Sequence, residues 1–258
     1  MTRAGQTRFA PSTMKTLLRV LLLSLLVLRP LIPQAAAVES LTGPQEFIGE
    51  MVEVYKLIGR LSTNDVPALL VGERGTGKRA VTRAIHANSA RATGPLAVVD
   101  CATMPEPTLD AALIGGQGGS VFVGSIERMP GALQTRLAHA LSTPGARGAS
   151  SPRVFGACER DPTEFLRSGA LTRELFDVLS IITLRLPPLR ERRDDIVPLI
   201  RHFVSRANDE LNRTIRGVDD AVLRRMQEYQ WPGNVAELER VIKRACIMAQ
   251  AEIGRAHV

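Results

Sequence analysis

The sequence predicts an α/β fold, a parallel sheet covered by helices and followed by a small helical subdomain. Three observations carry that expectation. Short apolar runs of strand length alternate with stretches in which apolar residues recur every three or four positions. A glycine-rich turn joins the first such run directly to a helix, giving a strand, loop, helix, strand unit of the βαβ kind. After Pro187 and Pro188 the strand signals stop and only helical patterns follow.

The elements follow in order. Met51, Val52, Val54, Tyr55, Ile58 and Leu61 lie on one face of a helix, and residues 67–71 form an apolar run suited to a buried strand. GERGTGKR comes next, and the segment behind it, with Val81, Ile85 and its alanines, forms the second helix. Further strands are expected over residues 95–100, 120–124, 153–157 and 181–186, with helices carrying Leu133, Leu137 and Leu141 and spanning 171–179. Parallel strands buried between helices fit this order. Beyond the prolines, helices are expected over 194–211, 219–229 and 235–248, with Trp231-Pro232-Gly233-Asn234 as the turn before the last and Asn234 as its N-cap. No internal repeat is visible.

Composition excludes several classes. At 258 residues, 45% hydrophobic and 23% charged, the chain is of ordinary globular make-up. Cys101, Cys158 and Cys246 have neither Cys-x-x-Cys nor Cys/His spacing, so they read as buried reduced thiols and no metal site follows from them. The net charge is +7, but Arg3, Arg8, Lys15, Arg19 and Arg29 account for five of it, and Glu252 and Arg255 cancel, leaving +2 on residues 38–251. A general phosphate-attracting field over the body, of the kind that binds nucleic acid, is therefore not expected.

In GERGTGKR, Gly72, Glu73, Arg74, Gly75, Thr76, Gly77 and Lys78 match G-x-x-x-x-G-K, while Arg79 stands where Ser or Thr completes the motif. Glycines let backbone N–H groups curl around phosphate oxygens, the following helix presents its positive end, and Lys78 adds a point charge. Arg79 has no hydroxyl to hold Mg²⁺ and its charge disfavours a metal beside it. The expectation is ATP or ADP on residues 72–79, with a metal disfavoured.

The two ends read differently from the body. Basic residues, an apolar run over 20–28, Pro30, Pro33 and three alanines before Val38 have the form of a signal peptide, too short to span a membrane. A nucleotide-binding body has cytosolic uses, so a cytoplasmic location is expected with 1–37 a misassigned start or linker; export or membrane tethering is the alternative. The closing EIGRAHV has the form of a translated sequencing-adapter start, so residues 252–258 are read as an adapter-derived tail.

FIGEMVEVYKLIGR, GERGTGKRAVTRAIHANSAR, VDCATMPE, LRLPPLRERRDDIVPLIRHFV and WPGNVAELERVI occur in that order across residues 44–250. In these the chain resembles the AAA+ domain of bacterial enhancer-binding proteins, the activators of sigma-54 RNA polymerase. The resemblance implies an AAA+ P-loop NTPase sheet with helices on both faces over residues 38–188, a helical lid over 189–251, and ATP between subunits of a ring. It also implies that Ile48 and Gly49 hold the adenine. Partners would be copies of the chain or related regulator subunits, and DNA would be met only through a C-terminal domain beyond the lid.

The family pattern is not kept everywhere. The GAFTGA loop that touches the sigma factor belongs between CATMPE and the next strand, where LDAALIGGQGGSVFV runs straight across. Gly124 and Ser125 stand in place of the Walker B Asp-Glu pair, Glu159 in place of the sensor Asn, and Asp100 in place of the Asn before the cysteine of the second strand. Thr172 and Val178 occupy the places of the two arginine fingers, with Arg173 one residue off, and Ala236 that of the lid arginine. Loss of an arginine finger alone removes about 10³- to 10⁵-fold in rate. These departures predict a nucleotide-binding module with no catalytic residues of its own, unable to turn ATP over efficiently or to contact sigma-54. The alternatives are a weak ATPase using Asp100, Glu159 or Arg173 as substitutes, and a non-binding interaction scaffold or decaying gene product. Arg190, Arg192 and Arg193, among Glu191, Asp194 and Asp195, are expected to form a solvated turn with local pairs. Trp231 is expected to pack the lid and His86 to be structural.

Overall fold

The computed structural model of the chain describes residues 51–114, 118–143 and 151–249. Ile48, Gly49, the segment 1–37 and the tail 252–258 lie outside these residues.

Five parallel strands form one sheet in the order β2-β3-β4-β1-β5. They are β1 (Ala68–Val71), β2 (Leu96–Asp100), β3 (Ser120–Gly124), β4 (Arg153–Cys158) and β5 (Thr183–Arg185). The expected strands are all present. β5 has a three-residue ladder rather than six, although its flanks still bond to β1, Leu69 N donating to Ile182 O and Val71 O accepting from Leu186 N.

Alternation along β1 builds two cores. Leu69 and Val71 face a layer that includes Leu133, Leu137, Leu171 and Leu175. Those side chains come from or lead into α4 (Gly131–Ser142) and α6 (Arg173–Leu179), and α3 (Glu106–Leu113) and α5 (Pro162–Ser168) complete that face. Ala68 and Leu70 face the opposite layer, made by α1 (Met51–Ser62) with Ile58 and Leu61 and by α2 (Lys78–Ala87) with Val81 and Ile85. The helices α3 and α5 were not among the expected elements. Both are short, but α5 carries a start signal, Asp161 accepting from Thr163 N with Pro162 in the first turn, and a stop at the left-handed Gly169.

Beyond β5 the chain makes two 3₁₀ turns, Leu189–Glu191 and Arg193–Asp195, and then α7 (Ile196–Leu211), α8 (Asp220–Glu228) and α9 (Asn234–Met248). These have their own core of Leu189, Ile196, Ile200, Phe203, Val204, Trp231, Leu238 and Ile242. Trp231 packs the lid as expected, 3% exposed, its indole N–H donating to Met226 O. Asn234 is not the N-cap of α9. Gly233 occupies that place, and Asn234 is the first helical residue with φ +53° and a buried side chain directed at the phosphate loop.

Two polar groups inside the α/β part are structural. Arg153, 1% exposed, lies 4.5 Å over the Phe155 ring and donates to Leu61 O and Val66 O, closing the end of α1 onto the sheet. His86 Nε2–H donates to Gly94 O, so Nδ1 accepts from the Ser120 hydroxyl. Cys101, Cys158 and Cys246 are free and buried, as expected.

Candidate nucleotide site

Residues 72–77 leave the C-terminal end of β1 and curl back into α2, the place where open α/β sheets bind ligands. Gly75 and Gly77 have φ +81° and +104°, left-handed values that favour glycine. Thr76 is buried, its N–H and hydroxyl both donating to Glu73 O. Lys78 Nζ donates to Gly72 O at 2.5 Å and Glu73 O at 3.0 Å, so the ammonium is held inside the curl. Burial lowers its pKa, opposed by Glu159, Cys158, Glu127 and Glu73. The first N–H groups of α2 have no acceptor within the helix and face the same concavity. Arg74 and Arg79 are exposed. A cleft of about 380 Å³ opens beside the loop, lined by Gly72, Glu73, Glu159, Arg185, Leu186 and Pro187 among others.

The lid is fastened to this loop. Glu73 accepts from both terminal nitrogens of the Arg190 guanidinium at 2.6 and 2.9 Å. Asn234 Nδ2 donates to Glu73 Oε2 and to Arg74 O, while its Oδ1 accepts from Leu189 N at 2.7 Å. The Arg190 and Asn234 bonds hold the Glu73 carboxyl below the usual carboxylate range. Arg192 donates to Thr76 O. Gly75 O accepts from Ala236 N at 3.3 Å, and a Cβ on Gly75 would lie 2.2 Å from Gly233 O, so the two backbones meet directly. The expected local pairs are present, Arg190 with Glu191 at 3.9 Å and Arg192 with Asp195 at 3.7 Å, but the turn is not merely solvated, because both arginines also bind the phosphate loop. Those loop partners, Glu73 and Thr76, lie more than a hundred residues away and give the turn a reason to be ordered. No local pattern in the sequence signals that pairing.

The positions that depart from the family pattern have visible local roles. Thr172 caps α6, its side chain accepting from Leu175 N. Arg173 pairs with Asp177 one turn along the same helix. Asp100 ends β2 opposite Gly124, and its Oδ1 accepts from Ala102 N. Glu159 is exposed at the end of β4. Ser125 follows β3 with φ +54° and turns the chain into the 3₁₀ segment Ile126–Arg128. Glu127 in that segment was not singled out from sequence. One of its carboxylate oxygens is buried with no hydrogen-bond partner among the described residues, and burial raises its pKa, with Glu159 adding to the rise and Lys78 opposing it.

Among the described residues no helix is long and apolar enough to cross a membrane, and no group of three His, Cys, Asp or Glu side chains is arranged to hold a metal ion.

The family described as the Sigma-54 interaction domain matches residues 47–141, and that described as the AAA+ ATPase lid domain matches residues 190–258. The DNA-binding transcriptional regulator NtrC of Azospirillum brasilense is 33% identical over 231 residues, 79% of this chain and 48% of its own length. The nitrogen fixation protein VnfA of Azotobacter vinelandii is also 33% identical, over 80% of this chain and 45% of its own. The chain thus spans about half the length of the curated relatives it matches. Crystal structures of NtrX from Brucella abortus share the fold. The one in complex with ATP superposes with a TM-score of 0.69 at 24% identity, covering 84% of this chain and 56% of NtrX. In its order of parallel strands, its glycine loop and its lid, and in these matches, the chain belongs to the AAA+ family that carries the sigma-54 interaction domain.

Proposed function

We propose that the chain is a nucleotide-binding AAA+ module that holds ATP or ADP on residues 72–79 and turns ATP over slowly or not at all. The observation that carries the reading is the loop itself, with left-handed Gly75 and Gly77 and a Lys78 ammonium held at its centre at the end of β1. NtrX structures named with ATP and with ADP, both at a TM-score of 0.69, agree with it. Ile48 and Gly49 are the residues proposed to hold the adenine.

Slow turnover follows from what the chain lacks. Gly124 and Ser125 offer no carboxylate, Thr172 and Val178 no guanidinium, and Ala236 no charge. Without an arginine at the developing phosphate charge, turnover falls by about 10³- to 10⁵-fold, roughly 4 to 7 kcal/mol of barrier. Contact with sigma-54 is not assigned to the chain, because α3 and β3 are joined by residues 114–119 alone. Its partners on this reading are further AAA+ subunits, its own copies or those of related regulators, and contact with DNA is not assigned to residues 51–249.

The test is equilibrium binding of ATP and ADP to the chain and to Lys78→Ala, with phosphate release followed in Mg²⁺. Micromolar binding lost in Lys78→Ala, without phosphate release, is expected. At 100 times the dissociation constant the nucleotide should add about 2.7 kcal/mol of stability. A folded chain that binds neither nucleotide refutes the reading, and Mg²⁺-dependent release at about 1 s⁻¹ or faster that Lys78→Ala abolishes refutes slow turnover.

A further inference from the structure

A peptide unit is planar and trans, so a carbonyl and the N–H that follows it point in opposite directions. Whatever holds the carbonyl therefore aims the next N–H. In the phosphate loop three successive carbonyls are held by the lid and the turn before it. Asn234 Nδ2 donates to Arg74 O at 3.0 Å, Ala236 N to Gly75 O at 3.3 Å, and Arg192 Nη2 to Thr76 O at 2.8 Å. The N–H groups that share these peptide units belong to Gly75, Thr76 and Gly77. Thr76 N–H is engaged by Glu73 O, whereas those of Gly75 and Gly77 have no acceptor among the described residues. Both glycines have positive φ, the backbone turn from which anion-binding concavities of N–H groups are made.

Arg192 reaches its carbonyl from inside the protein. Its side chain is 9% exposed, with Nη1 3.4 Å from Met51 Sδ and 3.7 Å from Asp195. Its Nε is buried without a partner among the described residues. A charge buried with an orphaned donor adds little to stability. What the guanidinium does reach is the loop carbonyl.

Resting on the nucleotide-binding reading, we propose that Arg192 and Asn234 are positioning residues for the nucleotide. Neither touches phosphate. Asn234, through Arg74 O, aims the Gly75 N–H at it, and Arg192, through Thr76 O, aims the Gly77 N–H. Donors fixed in advance lose less freedom when the ligand arrives, and affinity gains by that amount. Bound phosphate in turn polarises the same two peptides and strengthens the hold on their carbonyls, so nucleotide binding and lid attachment are coupled in both directions.

The experiment uses the full chain with ¹⁵N-labelled glycine and ADP in EDTA, reading affinity by calorimetry and aim by the amide proton shifts of Gly75 and Gly77. In wild type both amides are expected to move downfield when ADP binds. Arg192→Met should weaken ADP about ten-fold and abolish the Gly77 response while sparing that of Gly75. Asn234→Gly should do the reverse, and Arg192→Lys, which keeps one charged donor, should restore part of the Gly77 response. A general loosening of the fold would diminish both responses together and would not sort them by glycine. Wild-type affinity with an intact Gly77 response in Arg192→Met, or equal loss at both glycines in a variant still folded by Trp231 fluorescence, overturns the proposal and leaves nucleotide binding standing. If Arg192→Met does not fold, Asn234→Gly decides, and an unchanged Gly75 response there overturns it. No ADP binding by the wild type removes the nucleotide reading and this one with it.

Discussion

Asn234→Ala should detach the lid hinge from the phosphate loop at a cost that can be worked from the structure. The side chain is fully buried. Its removal leaves Leu189 N–H, on a residue that is itself buried, without an acceptor, worth about 1 to 3 kcal/mol. Glu73 and the Arg74 carbonyl each lose a donor but remain near solvent, adding roughly 0.5 kcal/mol. Alanine at φ +53° adds about 1 kcal/mol of left-handed strain that asparagine tolerates. The total is about 3 kcal/mol, which at about 2 to 3 kcal/mol per molar of urea moves the unfolding midpoint down by roughly 1 M. Trp231, the only tryptophan of the chain and three residues from the substitution, reports the lid by fluorescence. Asn234→Gly separates the terms, since it keeps the backbone angle and loses only the hydrogen bonds. An Asn234→Ala midpoint indistinguishable from wild type would refute the claim that this side chain joins hinge and loop.

Two further outcomes follow from the same bonds and from the sheet. Glu73, whose pKa lies below its ordinary 4.5 because of Arg190 and Asn234, contributes stability at all pH values above about 4.5 and loses it as pH falls through the lowered folded value. Wild type should therefore exceed Glu73→Gln in urea midpoint at pH 7, with the gap closing only in the acid range; a gap that persists at the lowest pH would separate it from ionisation. Arg153→Met should cost about 2 to 4 kcal/mol in urea unfolding, because the Leu61 and Val66 carbonyls lose a charged donor inside the protein, and a loss under 0.5 kcal/mol would show that methionine packing replaces it.

The α/β part was legible because its signals are local. A buried strand announces itself as an apolar run, and a phosphate loop needs glycines where φ turns positive, so β1, residues 72–79 and α2 could be read together. Helices α3 and α5 were missed because eight and seven residues give too little periodicity, although the Asp161-Pro162 start of α5 was there to be read. Asn234 misled for an instructive reason. Asparagine is favoured both as an N-cap and at positive φ, and only tertiary partners decide between the two. Arg190 and Glu73 are 117 residues apart, and no local rule joins them. Glu127 was not legible because a buried carboxylate oxygen without a partner among the described residues is a property of the tertiary structure that no local pattern signals.

The direct meeting of Gly75 and Gly233 gives the lid mechanical properties as well as an address. No flexible side chain cushions that contact, so displacement of the loop pushes on main chain at the root of α9. With 15 residues, α9 is about 22 Å long, so a tilt of about 10° at its root swings its far end by about 4 Å. That end carries Ile247 and Met248, 46% and 63% exposed. Leu238, Ile242 and Cys246 bury α9 in one core with Ile200, Phe203 and Val204 of α7, so a tilt at that root would carry the lid core with it rather than the helix alone.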